Sequence, residues 1–219
     1  MVITYYGLSC FKIQSGDLVL AIDPFTRDSG LTTPRFQTDI ALITHKHENH
    51  GNLDTLNPKP EKEIFEITGP GEYEVHGVRI KGFESFHDAK EGKNKGKNAI
   101  YLIEWEDMKI AHLGDYGEAT LRAEVQEALD TPDIMFVPVG GGGHTIDAET
   151  AVKLINQVSP RIVVPMHYKI GSLKDKLDPI DDFLKEMGEK VPPEDRLSIK
   201  KSGLPTDEES RIVVLKLNI

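Results

Sequence analysis

Three of the eight histidines in this chain lie within six positions, in the segment THKHENH at residues 44–50. Imidazole nitrogens bind zinc and similar divalent metals, and ligands at the end of a strand can converge without disturbing the sheet. His45 and His47 are two positions apart, so an extended segment can direct both towards one metal. His50 follows three positions later, within one helical turn, which allows a second metal beside the first. The segment therefore predicts a metal site.

Three more polar residues follow strand-like segments elsewhere in the chain. His87 comes after GVRIKGF, Asp115 after KIAHL and His167 after RIVVPM. Taken singly, each histidine is more often a structural or surface residue than a ligand, because histidine is common in both environments. Together with the histidine cluster, they favour a metal site to which four strand ends contribute.

The elements that must hold these residues are short strands in the first half and alternating strands and helices in the second. Strand patterns occur at 2–6, 10–14, 18–22, 63–67, 77–83, 99–105, 109–113 and 211–217. Continuous apolar runs predict buried strands at 39–44, 133–139 and 161–166. Apolar spacing predicts helices at 119–129, at 147–158 with Asp147 as N-cap, and at 180–187. With no linker between these elements, we expect one domain over residues 1–219.

Composition limits the classes of partner. Hydrophobic residues make up 38% and charged residues 28% of the chain, which is typical of a packed globular domain. A net charge of -10 argues against non-specific nucleic-acid binding. The single cysteine, Cys10, excludes an internal disulfide and a cysteine-based zinc cluster. The N-terminus reads as a strand, and no segment approaches the roughly 18 apolar residues of a membrane span. We therefore expect a cytoplasmic protein with no membrane or nucleic-acid partner.

The order of these motifs resembles the metallo-β-lactamase fold superfamily. That family's pattern is His-x-His-x-Asp-His, followed along the chain by a His, an Asp and a His. In this chain the counterparts are THKHENH, His87, HLGD with Asp115, and PMHYK with His167. Asp23 in LAIDPF is similar to the family's first motif, an aspartate that supports the metal loop.

The resemblance runs over essentially the whole chain. GPGEYEVHGV and VPVGGGGHTIDAETA are similar to a subgroup of uncharacterised metal-dependent hydrolases. These are related to ascorbate-6-phosphate lactonase and, more distantly, to N-acyl-phosphatidylethanolamine phospholipase D. The resemblance implies the α/β (α+β) class, as a four-layer αββα sandwich of two mixed β-sheets with the metals at one edge. It also allows a homo-oligomer.

The resemblance further implies one or two divalent metal ions, with zinc expected first and manganese, iron or nickel as alternatives. One ion would be held by His45, His47 and His87. The second would be held by His50 and His167, and Asp115 would bridge the two. A hydroxide between the metals would then attack a carbonyl or phosphoryl centre.

The sequence departs from the family pattern at Asn49, where the family has aspartate. An asparagine offers a carbonyl oxygen but no charge, so it is a weaker ligand. The neighbouring Glu48 carries a carboxylate but is one position off. We therefore hypothesise that one metal is bound tightly and the second loosely or not at all.

Two other histidines have open roles. His112 either supports a metal ligand through hydrogen bonds or is a core histidine bonded to the backbone. His144 ends VGGGGH, in which Gly142 and Gly143 let the backbone approach a ligand and leave N–H groups free for an anion. The alternative is a flexible turn. Because a histidine in a similar place lies near the active site of the phospholipase relative, His144 is the candidate for contacting substrate or protonating a leaving group.

Residues 87–98 form a polar segment with four lysines, which is either a solvated surface loop or a mobile flap beside the metals. The overall expectation is a metal-dependent hydrolase acting on a small polar, anionic substrate such as a lactone or phosphate ester. One alternative is a phosphodiesterase or nuclease, against which the acidic charge counts. The other is a non-catalytic metal- or ligand-binding member with a second metal site weakened by Asn49.

Overall fold

The computed structural model describes residues 1–46, 51–206 and 210–218. His47, Glu48, Asn49 and His50, which the sequence places at or beside the metal site, lie outside the described residues. The described strands are, in chain order, β1 Val2–Gly7, β2 Cys10–Ser15, β3 Leu18–Ile22, β4 Gln37–Thr38, β5 Ile40–Ile43, β6 Asn57–Pro58, β7 Phe65–Thr68, β8 Gly71–Val75, β9 Val78–Phe86, β10 Lys97–Trp105, β11 Met108–His112, β12 Ile134–Pro138, β13 Ile162–Met166, β14 Leu197–Ser198 and β15 Arg211–Ile212. The described α-helices are α1 Ala123–Leu129, α2 Ala148–Val158 and α3 Ile180–Glu186.

Thirteen of the described strands form two mixed sheets, and the short strands β4 and β6 pair with each other in parallel. The six-stranded sheet has the order β14-β1-β2-β3-β5-β7, with β5 and β7 added in parallel to an antiparallel meander. The seven-stranded sheet has the order β15-β13-β12-β11-β10-β9-β8, and its first four strands are parallel. The two sheets confirm the predicted α+β class with two mixed β-sheets.

The apolar faces of the two sheets pack against each other. Phe11 on β2 stacks on Phe136 of β12, with ring centroids 4.2 Å apart, and on Tyr5 of β1 at 4.8 Å. The parallel strands β12 and β13 are buried along their whole length, as expected for strands covered on both sides. This explains why they appear in the sequence as unbroken apolar runs.

Helices α1 and α2 connect neighbouring parallel strands, the usual way to join such strands. In α2 the predicted apolar face is buried and consists of Ala151, Leu154, Ile155 and Val158. The predicted N-cap is also observed: Asp147 Oδ1 accepts a hydrogen bond of 2.9 Å from the Thr150 N–H.

The structure differs from the predicted elements in several places, and the two-residue strands β4, β6 and β14 have no counterpart in the sequence prediction. Helix α1 begins at Ala123 instead of residue 119, because the preceding segment is held by a hydrogen bond from the Tyr116 hydroxyl to the Thr120 carbonyl. The edge strand β8 has no counterpart in the sequence prediction. The last predicted strand is reduced to β15, since the chain then crosses to the other sheet and Leu217 bridges Tyr5.

Candidate metal centre

Four strand ends bring their polar residues together at one edge of the sandwich. His45 follows β5 of the six-stranded sheet, while His87, Asp115 and His167 follow β9, β11 and β13 of the seven-stranded sheet. Asp115 Oδ2 lies 3.5 Å from Nε2 of His45, 3.2 Å from Nε2 of His87 and 3.0 Å from Nε2 of His167. All four side chains are buried.

This arrangement fits a divalent metal ion. The ligand atoms of His45, His87 and Asp115 lie within 4.8 Å of one another. Ligands of a tetrahedral zinc with bonds of about 2.1 Å are separated by roughly 3.4 Å, close to the nitrogen–oxygen distances measured here. Buried imidazoles and a carboxylate are also the donor types that zinc, manganese and iron share.

Asp115 accepts a hydrogen bond from Ser9, a residue that was not predicted from the sequence. The hydroxyl of Ser9, in the β1–β2 turn, donates to Asp115 Oδ1, so that Oδ2 is turned towards the imidazoles. Ser9 is in turn fixed through its carbonyl oxygen, which lies 3.0 Å from His112 Nε2. The Gly114 N–H donates to His112 Nδ1, which assigns the His112 proton to Nε2. Burial lowers the pKa of His112 to about 4, consistent with this neutral form.

Asn98 fixes the backbone of the same loop. The Asp115 N–H donates to Asn98 Oδ1 at 3.0 Å, and Asn98 Nδ2 donates to the Leu113 carbonyl at 2.8 Å. A second bond of 2.8 Å joins Asn98 Nδ2 to Ser85 Oγ. These bonds connect β10 to the loop after β11, so the position of Asp115 depends on two strands.

Asp23 supports His45 through an intermediate threonine. The Thr44 N–H and hydroxyl donate to the two oxygens of Asp23, at 2.8 and 2.6 Å, and the Thr44 hydroxyl lies 2.9 Å from His45 Nδ1. Burial raises the pKa of Asp23 to about 8, although both Thr44 bonds act to lower it. When Asp23 is ionised, the Thr44 hydroxyl must accept from His45 Nδ1–H, which leaves the Nε2 lone pair for a metal.

His167 is held in a left-handed backbone conformation, with φ 53°. Its N–H donates to the Leu8 carbonyl at 3.0 Å and also lies 3.3 Å from the Tyr5 hydroxyl. Burial acts to lower the pKa of His167, but the charge and hydrogen bond of Asp115 outweigh it, and the pKa is raised. A strained backbone held by several contacts is typical of functional sites.

The glycine run contributes close packing around His167. A methyl group at Gly140 would collide with the His167 carbonyl and lie 2.8 Å from the Cα of Tyr168. Gly142 packs on the Lys176 backbone, and it shares a left-handed conformation with Gly143. The direct role of Gly142 and Gly143 in binding substrate stays a prediction.

His144 is half-buried at the end of this run, and its N–H donates to the Gly141 carbonyl at 2.8 Å. Burial and the nearby Lys95 lower the pKa of His144, with smaller contributions from His167 and His87. The structure records no hydrogen bond from the His144 side chain to another described residue, and its role at the metal centre stays a prediction.

In the described part of the chain, no helix combines the length and the apolar character that crossing a membrane requires.

Known proteins similar to this chain include several that are named metal-dependent hydrolases. A model of the β-lactamase superfamily domain matches residues 2–167, a range that contains His45, His87, Asp115 and His167. A UPF0173 metal-dependent hydrolase of Thermoplasma acidophilum is 28% identical over 193 residues, which cover 78% of this chain and 84% of that protein. One from Ignicoccus hospitalis is 31% identical over 202 residues, covering 76% and 82% of the two chains.

A solved structure extends the similarity to almost the full length. The chain is 31% identical to a Thermotoga maritima protein assigned to the Zn-dependent hydrolases of the metallo-β-lactamase superfamily. The two folds superpose with a TM-score of 0.78, and the match covers 98% of this chain and 97% of that one.

Proposed function

The chain belongs to the β-lactamase superfamily, and from this premise we propose that it is a hydrolase dependent on one or two divalent metal ions, with zinc as the first candidate. We propose as substrate a small polar molecule with an anionic group, such as a lactone or a phosphate ester. The observation that carries the proposal is the buried Asp115 carboxylate, which faces three imidazole nitrogens contributed by both sheets.

When bound, divalent metal ions would make water available as a nucleophile near neutral pH and polarise the attacked carbonyl or phosphoryl group. Other residues of the chain orient the metal-binding side chains in the absence of an ion. Ser9 and Asn98 orient Asp115, and Thr44 fixes the ring of His45. A site prepared in this way loses little conformational entropy on binding metal and substrate.

For His144 we propose contact with the substrate or protonation of the leaving group. Its half-buried ring and the nearby charges that lower its pKa, Lys95 first among them, support this proposal. If this role is correct, His144→Gln should lower kcat by about 100-fold, within the usual range for general acid catalysis, and leave the metal content unchanged. A loss of metal from this variant would instead make His144 a ligand.

The test of the proposed function combines elemental analysis with a substrate screen. Purified wild type, supplied in turn with zinc, manganese, iron and nickel, is assayed on a lactone, a phosphodiester, a phosphomonoester and a thioester. We expect at least one metal ion per chain and turnover of one class, and we expect His167→Gln to lose both. His76→Asn is the matched control, because His76 is an exposed histidine in the turn between β8 and β9.

The outcomes separate the alternatives. Wild type that retains no metal would refute the proposal. Bound metal, no turnover with any ion and tight retention of a small ligand would favour a non-catalytic binding protein. Preference for the phosphodiester would favour the phosphodiesterase or nuclease alternative.

A further inference from the structure

The segment between β9 and β10 is organised around a single carboxylate. Asp88 accepts hydrogen bonds from four backbone N–H groups of its own loop: Lys90 at 2.7 Å, Gly92 at 3.2 Å, Asn94 at 3.0 Å and Lys95 at 2.8 Å. Four bonds to one ionised side chain give this polar segment a defined conformation. It is therefore better described as an ordered loop than as a loose surface segment.

The ends of this loop are also closed. The His87 N–H donates to the Gly96 carbonyl at 3.2 Å, and the Gly96 N–H donates to the Gly92 carbonyl at 2.9 Å. The loop thus begins at a residue of the metal centre and returns to the same place. Residues near its end, including Lys95, are consequently brought back towards the centre.

Lys95 and His45 line the same cavity, which has a volume of about 340 Å³ and includes Lys46 and Asn98 in its wall. Partial burial lowers the pKa of Lys95, while the carboxylates of Asp115 and Asp175 act in the opposite direction. Lys95 thus shares a cavity wall with a residue of the candidate metal centre. It forms no ion pair with any residue that the structure describes.

Lys97 provides a contrast within the same cavity wall. Its Nζ lies 2.6 Å from Glu84 Oε2, so its charge is already paired. Lys95 remains a cation in the same cavity wall as His45, in a chain whose net charge is -10, and Lys46 in that wall likewise has no ion pair with a described residue. A cation in this position offsets the general repulsion of anions and can form a charge-assisted hydrogen bond to one.

We propose that the Asp88-ordered loop positions Lys95 to bind an anionic group, a phosphate or carboxylate, of the substrate at the metal centre. This inference rests on the proposed hydrolase function and adds the residue that selects the charge of the substrate. Lys95 is the binding residue, and Asp88 is a positioning residue that acts through the backbone of the loop.

The first test uses inorganic phosphate as the probe. Zinc-loaded wild type, Lys95→Gln and Lys93→Gln are titrated with phosphate by calorimetry after free zinc is removed. We expect Lys95→Gln to bind phosphate about tenfold more weakly than wild type, as for the loss of one hydrogen bond to a charged group. Lys93→Gln removes the same charge from the same loop, outside the wall of the cavity, and should stay within about twofold of wild type.

Equal phosphate affinity in all three proteins would overturn the proposal, because the anion would then depend on the metal alone. Absence of phosphate binding in wild type would overturn it as well. Zinc content is measured on every sample, so that failure of the hydrolase proposal is recognised separately. If wild type retains no zinc, that proposal fails, and the same comparison in metal-free protein still decides the contribution of Lys95.

The second test concerns Asp88. Asp88→Asn removes one of the accepting oxygens, and Glu91→Gln removes an equal charge from the exposed neighbouring position. We expect trypsin to cleave the Asp88→Asn loop at its lysines about tenfold faster than wild type, and phosphate affinity to fall in parallel, since local opening exposes the chain. Glu91→Gln should match wild type. Unchanged cleavage and affinity in Asp88→Asn would refute the positioning role.

Discussion

Both carboxylate oxygens of Asp115 are engaged by side chains from distant parts of the chain. Ser9 donates to Oδ1, and three imidazoles face Oδ2. An outer partner of this kind fixes the direction in which a ligand offers its lone pair. At the scale of single residues, the site therefore depends on groups that would never touch a metal.

Replacing Ser9 tests this dependence. We expect Ser9→Ala to weaken zinc binding by about tenfold, the lower end of the range for loss of an outer hydrogen bond to a ligand. Competition with a chromophoric chelator measures the affinity. Ser15→Ala is the control, because Ser15 also donates to a carboxylate, that of Glu106, away from the site. Equal zinc affinity in wild type and Ser9→Ala would contradict the role.

His112 gives a prediction about pH. Burial lowers the pKa of His112 from 6.5 to about 4. Between these two pH values, His112 is protonated in the unfolded chain and neutral in the folded chain. The stabilising contribution of neutral His112 is therefore present above pH 6.5 and is lost as the pH falls towards 4. His112→Gln preserves a donor and an acceptor without titrating.

We expect the unfolding free energy of His112→Gln to fall less than that of wild type between pH 7 and 4, by at most roughly 3 kcal/mol. Urea unfolding of chelator-treated protein at several pH values measures the difference. Because Asp23 titrates with the opposite sign throughout this window, only the difference between the two proteins is informative. Parallel pH profiles would show that His112 does not contribute.

The hypothesis about Asn49 concerns the number of metal ions that the chain binds. Since asparagine lacks the charge of the family's aspartate, we expect wild type to retain one ion after dialysis and Asn49→Asp to retain nearer two. Elemental analysis against protein concentration measures the ratio. Asn57→Asp, an exposed position on β6, controls for the added charge. Two ions per chain in wild type would end the hypothesis.

At the scale of elements, strand ends and glycines set the positions of the ligands. Gly117 packs against the peptide between His87 and Asp88, and its N–H donates to the Phe86 carbonyl at 3.0 Å. A methyl group there would lie 2.5 Å from the His87 carbonyl oxygen. The loop after β11 therefore fixes the strand end that carries His87.

We expect Gly117→Ala to displace His87 and to weaken zinc binding by about tenfold, with an unfolding free energy lower by about 1–3 kcal/mol from overpacking. Chelator competition and urea unfolding measure the two effects. Gly203→Ala is matched to it, because a methyl group at Gly203 would meet only Ile199 Cδ1 at an ordinary 3.6 Å. If Gly117→Ala binds zinc as tightly as wild type, the loop accommodates the added methyl group without displacing His87.

The sequence predicted most elements because their signals are local. The unbroken apolar runs of β12 and β13 and the capped apolar face of α2 each depend on one segment. Strand β8 was missed because its residues are half-buried or exposed, as at a sheet edge, so its apolar pattern is weak. The start of α1 follows a segment held by the local hydrogen bond from the Tyr116 hydroxyl to the Thr120 carbonyl, which the apolar spacing of the sequence does not reveal.

The same distinction applies to the candidate site. His45, His87, Asp115 and His167 could be singled out because of their residue types at strand ends, and the structure brings the four together. Ser9 could not, since its contact with Asp115 joins residues 106 positions apart and serine is an ordinary turn residue. Likewise, the grouping of Lys95 with His45 appears only when the loop is folded.

At the scale of the whole molecule, the metal centre connects the two sheets. His45 belongs to the end of the six-stranded sheet, and its partners belong to the seven-stranded sheet. An ion bound there would link the halves of the sandwich only in the folded state. Metal binding should therefore add to the stability of the entire chain.

We expect chelation of the metal to lower Tm by roughly 10 °C, which corresponds to about 4 kcal/mol for an ion present at 1,000 times its Kd. Calorimetry with and without chelator measures the shift. His45→Gln should show little further loss on chelation, whereas His76→Asn, in an exposed turn, should respond like wild type. An unchanged Tm in chelator-treated wild type would contradict the prediction, because it would show that a bound ion does not stabilise the fold.

The closed ends of the 88–96 loop have a consequence for how this protein could diversify. Because the His87 N–H is bonded to the Gly96 carbonyl, the two strands are already joined at the point where the loop leaves them. The sequence of the residues in between could therefore change without altering the two strands that flank the loop. Substitutions between residues 88 and 96 could thus alter which substrates are bound while the positions of the residues that follow the flanking strands are kept.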